Sequence, residues 1–188
     1  MDNNWNESEI VRGLQNGDSN AWAALCSQYS ERLLRYVSRL IGNNEAAVAD
    51  VFQETLLAVA RAGRALNDGS TLWAWLSAIG HNQCALHWRQ RARTATELLV
   101  DECAAVEPDD LLIQHETVIV VRRLLAEMPS DYVTVLTSRF ADGMSATDIA
   151  AELGEEAEAV RSRLARAKKD FRKRYDALKK TKLVRRES

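Results

Sequence analysis

Apolar residues recur at steps of three and four along most of this chain, which is the spacing of one face of an α-helix. The clearest run begins after Asp18, a good helix N-cap, and closes at Gly42. Its members are Trp22, Leu25, Tyr29, Leu33, Tyr36 and Leu40. Only 8 glycines and 2 prolines occur in 188 residues, too few turn formers for a many-stranded sandwich or barrel. The chain is therefore predicted to be all-α.

The same spacing predicts further helices on both sides of an irregular stretch. Before it we expect a short leading helix at 7–16, a helix from Asn44 to about Gly63, and a third helix from Leu72 to Arg93. Between residues 94 and 109 the periodicity fails and the composition is acidic. We interpret 94–109 as a flexible acidic linker. It divides two small helical domains, 1–93 and 110–178, and a basic tail, 179–188, has a composition typical of disorder.

The second domain contains the pattern of a helix-turn-helix. One helix is expected from Asp110, and Pro129 restarts the chain into another that Gly143 ends. The segment from Ser145 to Asp148 is a capping-box variant that opens a short helix. A break at Gly154 follows, and a longer basic helix begins near residue 156. A short helix, a tight turn and a basic helix are typical of DNA-binding proteins.

Charge is distributed unevenly along the chain, although the formal net charge is only −2. Residues 1–93 carry nine basic and nine acidic side chains, and residues 94–158 carry three basic and fifteen acidic ones. Residues 159–188 carry thirteen basic and three acidic side chains. A basic block of this kind indicates a polyanionic partner, with nucleic acid the first candidate.

The basic helix after Gly154 presents polar residues opposite its buried Val160. A solvated surface helix is the alternative interpretation, but the preceding capped helix and turn favour DNA binding. The residues predicted to contact duplex DNA are Glu158, Ala159, Arg161, Ser162, Arg163, Arg166 and Lys169. Early positions of such a helix meet base edges, and later basic residues meet phosphates.

Two further groups of side chains are candidates for binding in the first domain. Asp50, Gln53 and Glu54 form a polar patch on one side of the second long helix, for which simple solvation is the alternative. The third long helix combines aromatic and basic residues, which suits unpaired bases and their backbone. Its candidates are Trp73, His81, Asn82, Trp88, Arg89, Arg91 and Arg93. Trp75 lies on the apolar stripe and is expected in the core, whereas Trp73 and Trp88 lie off it.

No constellation of catalytic or metal-ligating residues is found. His81, Cys84 and His87 do not converge on one helix face, so no metal site is expected. Three cysteines, an odd number, exclude a disulfide scaffold and indicate a reducing compartment. No signal peptide and no apolar run long enough to span a membrane occur. We therefore expect a cytoplasmic protein that is not an enzyme and needs no cofactor.

Two ordered sets of motifs resemble bacterial sigma factors of the extracytoplasmic-function class. In the first domain they are 17–22, the stretch from Tyr29 to Arg39, the stretch from Ala49 to Thr55, and 75–82 with the arginine cluster after it. In the second domain they are Met128-Pro129, 143–145, 148–150, Leu153-Gly154 and 160–167. The resemblance covers about residues 8–93 and 110–176.

The resemblance implies a transcription initiation factor that binds core RNA polymerase, reads the −10 and −35 promoter elements and assists strand opening. It assigns Asp50, Gln53 and Glu54 to the polymerase clamp helices, the helix ending at Arg93 to the −10 element, and the basic helix to the −35 element. It implies the polymerase flap and promoter DNA as partners, and it allows an anti-sigma factor. The alternative function is a stand-alone helix-turn-helix regulator that binds duplex DNA without polymerase.

The chain departs from the pattern of this class at three places. Leu86 stands where the class usually has an Asp, and His81 stands where it usually has an Arg. The basic helix begins with the acidic run Glu155 to Glu158, where small polar residues are usual. The base preferences of better-known members therefore do not transfer to this chain.

Overall fold

A computed structural model describes residues 5–66, 71–98 and 110–186, and every regular element in these ranges is helical. The α-helices are α1 (Glu7–Asn16), α2 (Ser19–Ile41), α3 (Glu45–Ala62), α4 (Leu72–Leu98), α5 (Asp110–Glu127), α6 (Ser130–Phe140), α7 (Ala146–Leu153) and α8 (Ala157–Arg186). A single 3-10 turn, Gly63–Ala65, follows α3. The all-α prediction is confirmed. None of the described helices has both the length and the apolar character needed to cross a membrane.

Short polar side chains begin the helices where the sequence predicts them. The carboxylate of Asp18 accepts a hydrogen bond from the backbone N–H of residue 20 at 2.8 Å, and Asn44 accepts one from residue 47 at 3.0 Å. Ser145 and Asp148 form a reciprocal capping box at the start of α7. Each cap gives a partner to a backbone N–H that the first helical turn leaves unpaired. The predicted starts of α2, α3 and α7 are confirmed.

Helices α1 to α4 form the N-terminal half of the molecule. Their core is apolar and fully enclosed, with Ile10, Leu33, Val37 and Leu76 completely buried. Helix α1 fixes the start of α4, because the Glu7 carboxylate accepts a hydrogen bond from the backbone N–H of Leu72. An acidic group at a helix N-terminus also interacts favourably with the helix dipole.

Helices α5 to α8 form the C-terminal half. Val133, Ile149, Val160 and Ala167 are completely buried and join α6, α7 and α8. This packing places α7 and α8 as consecutive helices around a tight turn at Gly154, as the sequence predicts. The cores of the two halves belong to one continuous cluster of buried side chains.

The two halves pack against each other through α4, which contacts α5 and α6, and through α2, which contacts α5. Polar groups are paired across this interface. The Thr134 hydroxyl donates to Ser77 Oγ at 3.1 Å, and Arg122 Nε donates to the backbone carbonyl of Arg39 at 3.2 Å. Buried polar groups are costly unless they find such partners, so these contacts fix how the halves fit together.

Two arginines of α2 form ion pairs with the C-terminal half. Arg39 Nη1 lies 2.6 Å from a carboxylate oxygen of Asp142, and Arg32 pairs with Glu152 on α7. The guanidinium of Arg32 also lies 3.7 Å from the ring centroid of Trp73, where a cation–π interaction is favourable. The pair of Arg32 and Glu152 ties the short helix of the helix-turn-helix to the N-terminal half, and the pair of Arg39 and Asp142 ties the turn before it.

Two helices extend past the ends expected from the sequence. Helix α4 continues through the expected start of the linker at 94 and ends at Leu98, and α8 continues through most of the tail expected to be disordered, to Arg186. Both extensions lack glycine and proline, and the second is rich in lysine and arginine, which are good helix formers. The rest of the expected linker, 99–109, the end of the tail, 187–188, and the loop 67–70 lie outside the described residues.

Reversing the two arginines of α2 together, Arg32→Glu and Arg39→Glu, is expected to separate the halves. Each new carboxylate would face one from the C-terminal half, and like charges in contact repel. Reversal is needed because removal of a half-exposed ion pair costs at most about 1 kcal/mol. Small-angle X-ray scattering should show a larger radius of gyration than for the wild type.

The matched control is Arg35→Glu, because Arg35 pairs with Glu31 on the same helix. This variant should keep the radius of gyration of the wild type. Adding Glu152→Arg and Asp142→Arg to the double reversal should restore the compact form. A compact double reversal would show that the halves stay together without these two ion pairs.

Candidate nucleic-acid and polymerase interfaces

The turn between α7 and α8 is built around a glycine. Gly154 has φ 63°, in the left-handed region that residues with a Cβ rarely adopt. A Cβ at this position would lie 3.1 Å from the Thr71 methyl group, so the turn also packs closely against the N-terminal half. The backbone N–H of Gly154 bonds to the carbonyl of Ala150 and closes α7. This turn directs α8 away from α7.

Helix α8 has one buried side and one exposed side over its first four turns. Val160, Leu164 and Ala167 are buried, and the predicted contact residues lie mostly on the opposite side. The exposed ones are Glu158, Ala159, Arg161, Ser162, Arg166 and Lys169. This face can supply hydrogen-bond donors to base edges and positive charge to phosphates.

Arg163 does not point outward, as the prediction that it anchors DNA assumed. Its guanidinium forms ion pairs with Glu155 at 2.8 Å and with Asp131 of α6 at 3.6 Å, and the side chain is mostly buried. Arg163 is thus paired within the protein, and these ion pairs hold the turn and α8 against α6. Glu158 also has an internal partner, since Arg161 lies 2.9 Å away.

The polar patch on α3 is exposed. Asp50, Gln53 and Glu54 all face solvent, while Val51 and Thr55 on the opposite side are buried. The Thr55 hydroxyl donates to the carbonyl of Val51 at 2.7 Å, so its burial leaves no unpaired hydroxyl proton. The patch therefore presents two carboxylates and one amide on a rigid helix, where a protein partner can reach them.

Two aromatic residues of α4, Trp73 and Trp88, are buried. The prediction that Trp73 and Trp88 stand off the packed surface is wrong, because 4% and 7% of each residue is exposed. The Trp73 ring meets Tyr36 edge-on, with 5.9 Å between centroids. The Trp88 indole N–H donates to the Leu40 carbonyl at 3.0 Å. Helix α4 is buried on two sides, one toward α2 and α3 and one toward α5 and α6, so a single apolar stripe does not describe it.

His81 is also buried, and it lies at the interface between the halves. Its Nε2 lies 3.0 Å from the Leu125 carbonyl, which can only accept, so Nε2 carries the proton. Burial lowers the pKa of His81, which favours the neutral ring that this position requires. While the halves are packed in this way, His81 is covered, so the DNA contact predicted for it would require the halves to separate.

The remaining candidates on α4 are exposed. Asn82, Arg89 and Arg93 are exposed on one side of the helix, and Arg91 is exposed on the opposite side. The Arg91 guanidinium lies 5.7 Å from the ring centroid of Trp88, so the buried indole supports a surface cation. The side with one amide and two guanidinium groups suits a nucleic-acid backbone.

His81, Cys84 and His87, for which the sequence predicts no metal site, all lie on α4. Burial raises the pKa of the Cys84 thiol to about 12, which keeps it protonated and a poor ligand. Burial and the charge of Arg91 lower the pKa of His87, and Asp50 opposes this shift. Within the described residues no group of three potential ligands converges.

Sequence reasoning missed the residues that organise these surfaces. Arg32 and Arg39 join the halves, and Asp131 holds Arg163. Their partners lie far away in the sequence, so helical periodicity gives no signal for them. The pair of Glu155 and Arg163, eight residues apart, also falls outside the three- and four-residue spacings of helix neighbours.

Models of known protein families match both halves of the chain. Sigma-70 region 2 matches residues 25–94, and Sigma-70 region 4 matches residues 119–171. The ECF RNA polymerase sigma-E factor of Escherichia coli strain K12 is 28% identical over 171 residues, which cover 85% of this chain and 88% of that protein. The RNA polymerase sigma-H factor of Pseudomonas aeruginosa is 26% identical over 184 residues, which cover 92% and 95%.

Two solved structures also resemble the chain. CnrH in complex with the cytosolic domain of CnrY has a TM-score of 0.48 and 23% identity, covering 91% of this chain and 97% of that one. The sigma factor RpoE in complex with the anti-sigma factor NepR, from Bartonella quintana, has a TM-score of 0.46 and 22% identity, covering 80% and 94%.

Two matches to one family, in the family's order, define a sigma factor, a promoter-directing transcription initiation factor. The chain belongs to the sigma-70 family, and to its extracytoplasmic-function (ECF) class. Sigma factors are non-enzymatic regulators of transcription. The resemblance noted in the sequence is thereby confirmed.

Replacing Trp88 by alanine is expected to unfold the protein more easily rather than to affect DNA directly. The change removes a buried ring and its hydrogen bond, which costs about 3–5 kcal/mol. The melting temperature should fall by about 10 °C or more. Calorimetry can compare it with Leu86→Ala on the same helix, where 42% of the residue is exposed and little change is expected. Normal stability combined with lost promoter opening would instead assign the ring to DNA.

Proposed function

We propose that this sigma factor binds core RNA polymerase through α3, contacts the −10 element with the exposed face of α4, and contacts the −35 element with α8. One observation supports this proposal above all. The half that matches region 2 has an exposed acidic patch on α3, and the half that matches region 4 has an exposed polar face on α8. Run-off transcription with purified core polymerase and a promoter library tests it. Transcripts should appear only when the chain is present.

The two halves correspond to separate functional domains in this proposal. The first extends from residue 1 through α4, the connection lies within 99–109, and the second begins with α5. The interface between them contains ion pairs and hydrogen bonds rather than apolar contacts alone, which is typical of domains that move relative to each other. We propose that the halves separate when the two promoter elements are read together.

Core polymerase is the partner proposed for Asp50, Gln53 and Glu54. We expect Asp50→Ala combined with Glu54→Ala to weaken binding to core polymerase about tenfold, because both carboxylates would face a basic partner. The fold should be unchanged, since both side chains are exposed. Co-elution and equilibrium titration with core polymerase measure the effect.

Glu31→Ala is the matched control, because Glu31 is an exposed acidic residue on the neighbouring α2. It should leave the affinity unchanged. An unaltered affinity of the double variant would refute the assignment of the α3 patch, while leaving the DNA-binding faces untouched.

The −10 contact is proposed for Asn82, Arg89, Arg91 and Arg93. These are the exposed residues among the candidates that the sequence predicts on this helix. The arginines can hold the phosphate backbone of an opened strand, and the amide of Asn82 can pair with a base edge. The buried Trp73, His81 and Trp88 support this face from beneath.

The −35 contact is proposed for the exposed face of α8, without Arg163. We expect Arg166→Ala to weaken binding to all sequences and to reduce the magnitude of the salt slope by about 0.9, since it removes one phosphate contact. Glu158→Ala is expected to change the preferred sequence more than the affinity, because it removes a base acceptor and releases Arg161. The full-length chain is titrated against a randomised −35 library at two salt concentrations.

Arg12→Ala is the control for these variants, because it removes an exposed arginine from α1 in the other half. It should reproduce the affinity and salt slope of the wild type. If Glu158→Ala leaves the preferred sequence unchanged, the acidic start of α8 does not enter the groove and the proposed orientation is wrong.

A stand-alone regulator of duplex DNA is the second candidate function. The DNA-binding face of α8 is exposed even though the halves are packed together. Duplex DNA could therefore bind it without polymerase, which favours this second function. A gel shift without core polymerase distinguishes the two, since sequence-specific binding at physiological salt would favour the regulator. An anti-sigma factor is a further proposed partner; RpoE of Bartonella quintana forms a complex with one, NepR.

A further inference from the structure

A cavity of about 660 Å³ lies between α2 of the N-terminal half and α5, α6 and α8 of the C-terminal half. Pockets for small molecules have volumes of about 300–1,000 Å³ and are lined mainly by apolar side chains. The apolar lining of this cavity comprises Leu40, Val121, Leu125, Leu136, Phe140, Ala141, Phe171 and Tyr175. Its size and lining are therefore those of a ligand pocket.

Aromatic rings form one wall of the cavity. Phe171 and Tyr175 are stacked along α8 with 6.1 Å between their centroids, and Phe140 projects from the end of α6. Phe140 is 66% exposed, the most exposed large apolar residue among those described. Leu40 of α2, in the other half of the molecule, also borders the cavity but is completely buried. An apolar ligand would cover ring surface that water now contacts.

The charged residues around the cavity leave an excess of positive charge. Arg39 is already paired with Asp142, and Lys168 lies 5.4 Å from the ring centroid of Phe140. Arg172 forms no ion pair with any described residue, and Asp176 is the one carboxylate of the lining. A guanidinium without a partner can bind a carboxylate through two parallel hydrogen bonds.

We propose that this cavity binds an anionic amphiphile, with its carboxylate on Arg172 and its aliphatic chain against the aromatic wall. A partner helix fits less well. One turn of a helix about 10 Å wide occupies about 420 Å³, so the cavity holds only about one and a half turns. A medium-chain fatty acid needs no more room than the cavity offers, and it matches both the apolar lining and the charge at the rim.

Isothermal titration calorimetry of the full-length protein with octanoate, decanoate and dodecanoate, below their micellar concentrations, tests the proposal. One molecule should bind per chain, and affinity should rise with chain length by up to about fourfold per methylene, the equivalent of its burial. Dodecanol should bind at least tenfold more weakly than dodecanoate. Several weak sites, or no dependence on chain length, would overturn the proposal.

Matched variants locate the site. Arg172→Glu should weaken dodecanoate at least tenfold and leave dodecanol unchanged, whereas Lys173→Glu, the same charge change one residue further along α8 and outside the lining, should have little effect. Phe140→Ala should weaken both ligands several-fold, and Leu57→Ala, an exposed apolar residue of α3, should weaken neither. Equal effects of variant and control, or binding of an acidic amphipathic peptide but not of dodecanoate, would overturn the proposal.

Discussion

The burial of α4 on two sides is the constraint on which the rest of the structure depends. One side of this helix completes the core of the N-terminal half, where the Trp88 indole donates to the Leu40 carbonyl. The other side meets α5 and α6, where His81 and Ser77 find polar partners. Because one helix serves both cores, the exposed arginines toward its C-terminal end are held on a rigid support.

The interface between the halves combines apolar packing with contacts that can exchange for water. Half-exposed ion pairs contribute little to stability, but they fix orientation because each has only one correctly placed partner. The buried pairs, such as Thr134 with Ser77, add specificity in the same way. The proposed separation of the halves would break these contacts and expose their polar groups to water.

Local sequence signals predict the elements of this fold well and the environment of their side chains less well. The caps at Asp18, Asn44 and Ser145 identify helix starts, because capping is a contact within four residues. The predicted exposure of Trp73 and Trp88 is wrong, because helical periodicity assumes one buried face and α4 has two.

Among the candidate contact residues, exposure could be predicted for the α3 patch and for most of α8. Both helices have a single buried side over these residues, so position on the helix decides exposure. Arg163 could not be predicted, because Asp131 reaches it through tertiary packing. The apolar cavity had no sequence signal either, since its walls come from four helices.

The end of α4 at Leu98 and the start of α5 at Asp110 set a mechanical limit on any separation of the halves. Twelve Cα–Cα steps can span at most about 43 Å when fully extended. A tether of this length keeps two separated halves at an effective concentration on the order of millimolar. Closure is then an intramolecular event, so the compact form re-forms at a rate that does not depend on how much of the protein is present.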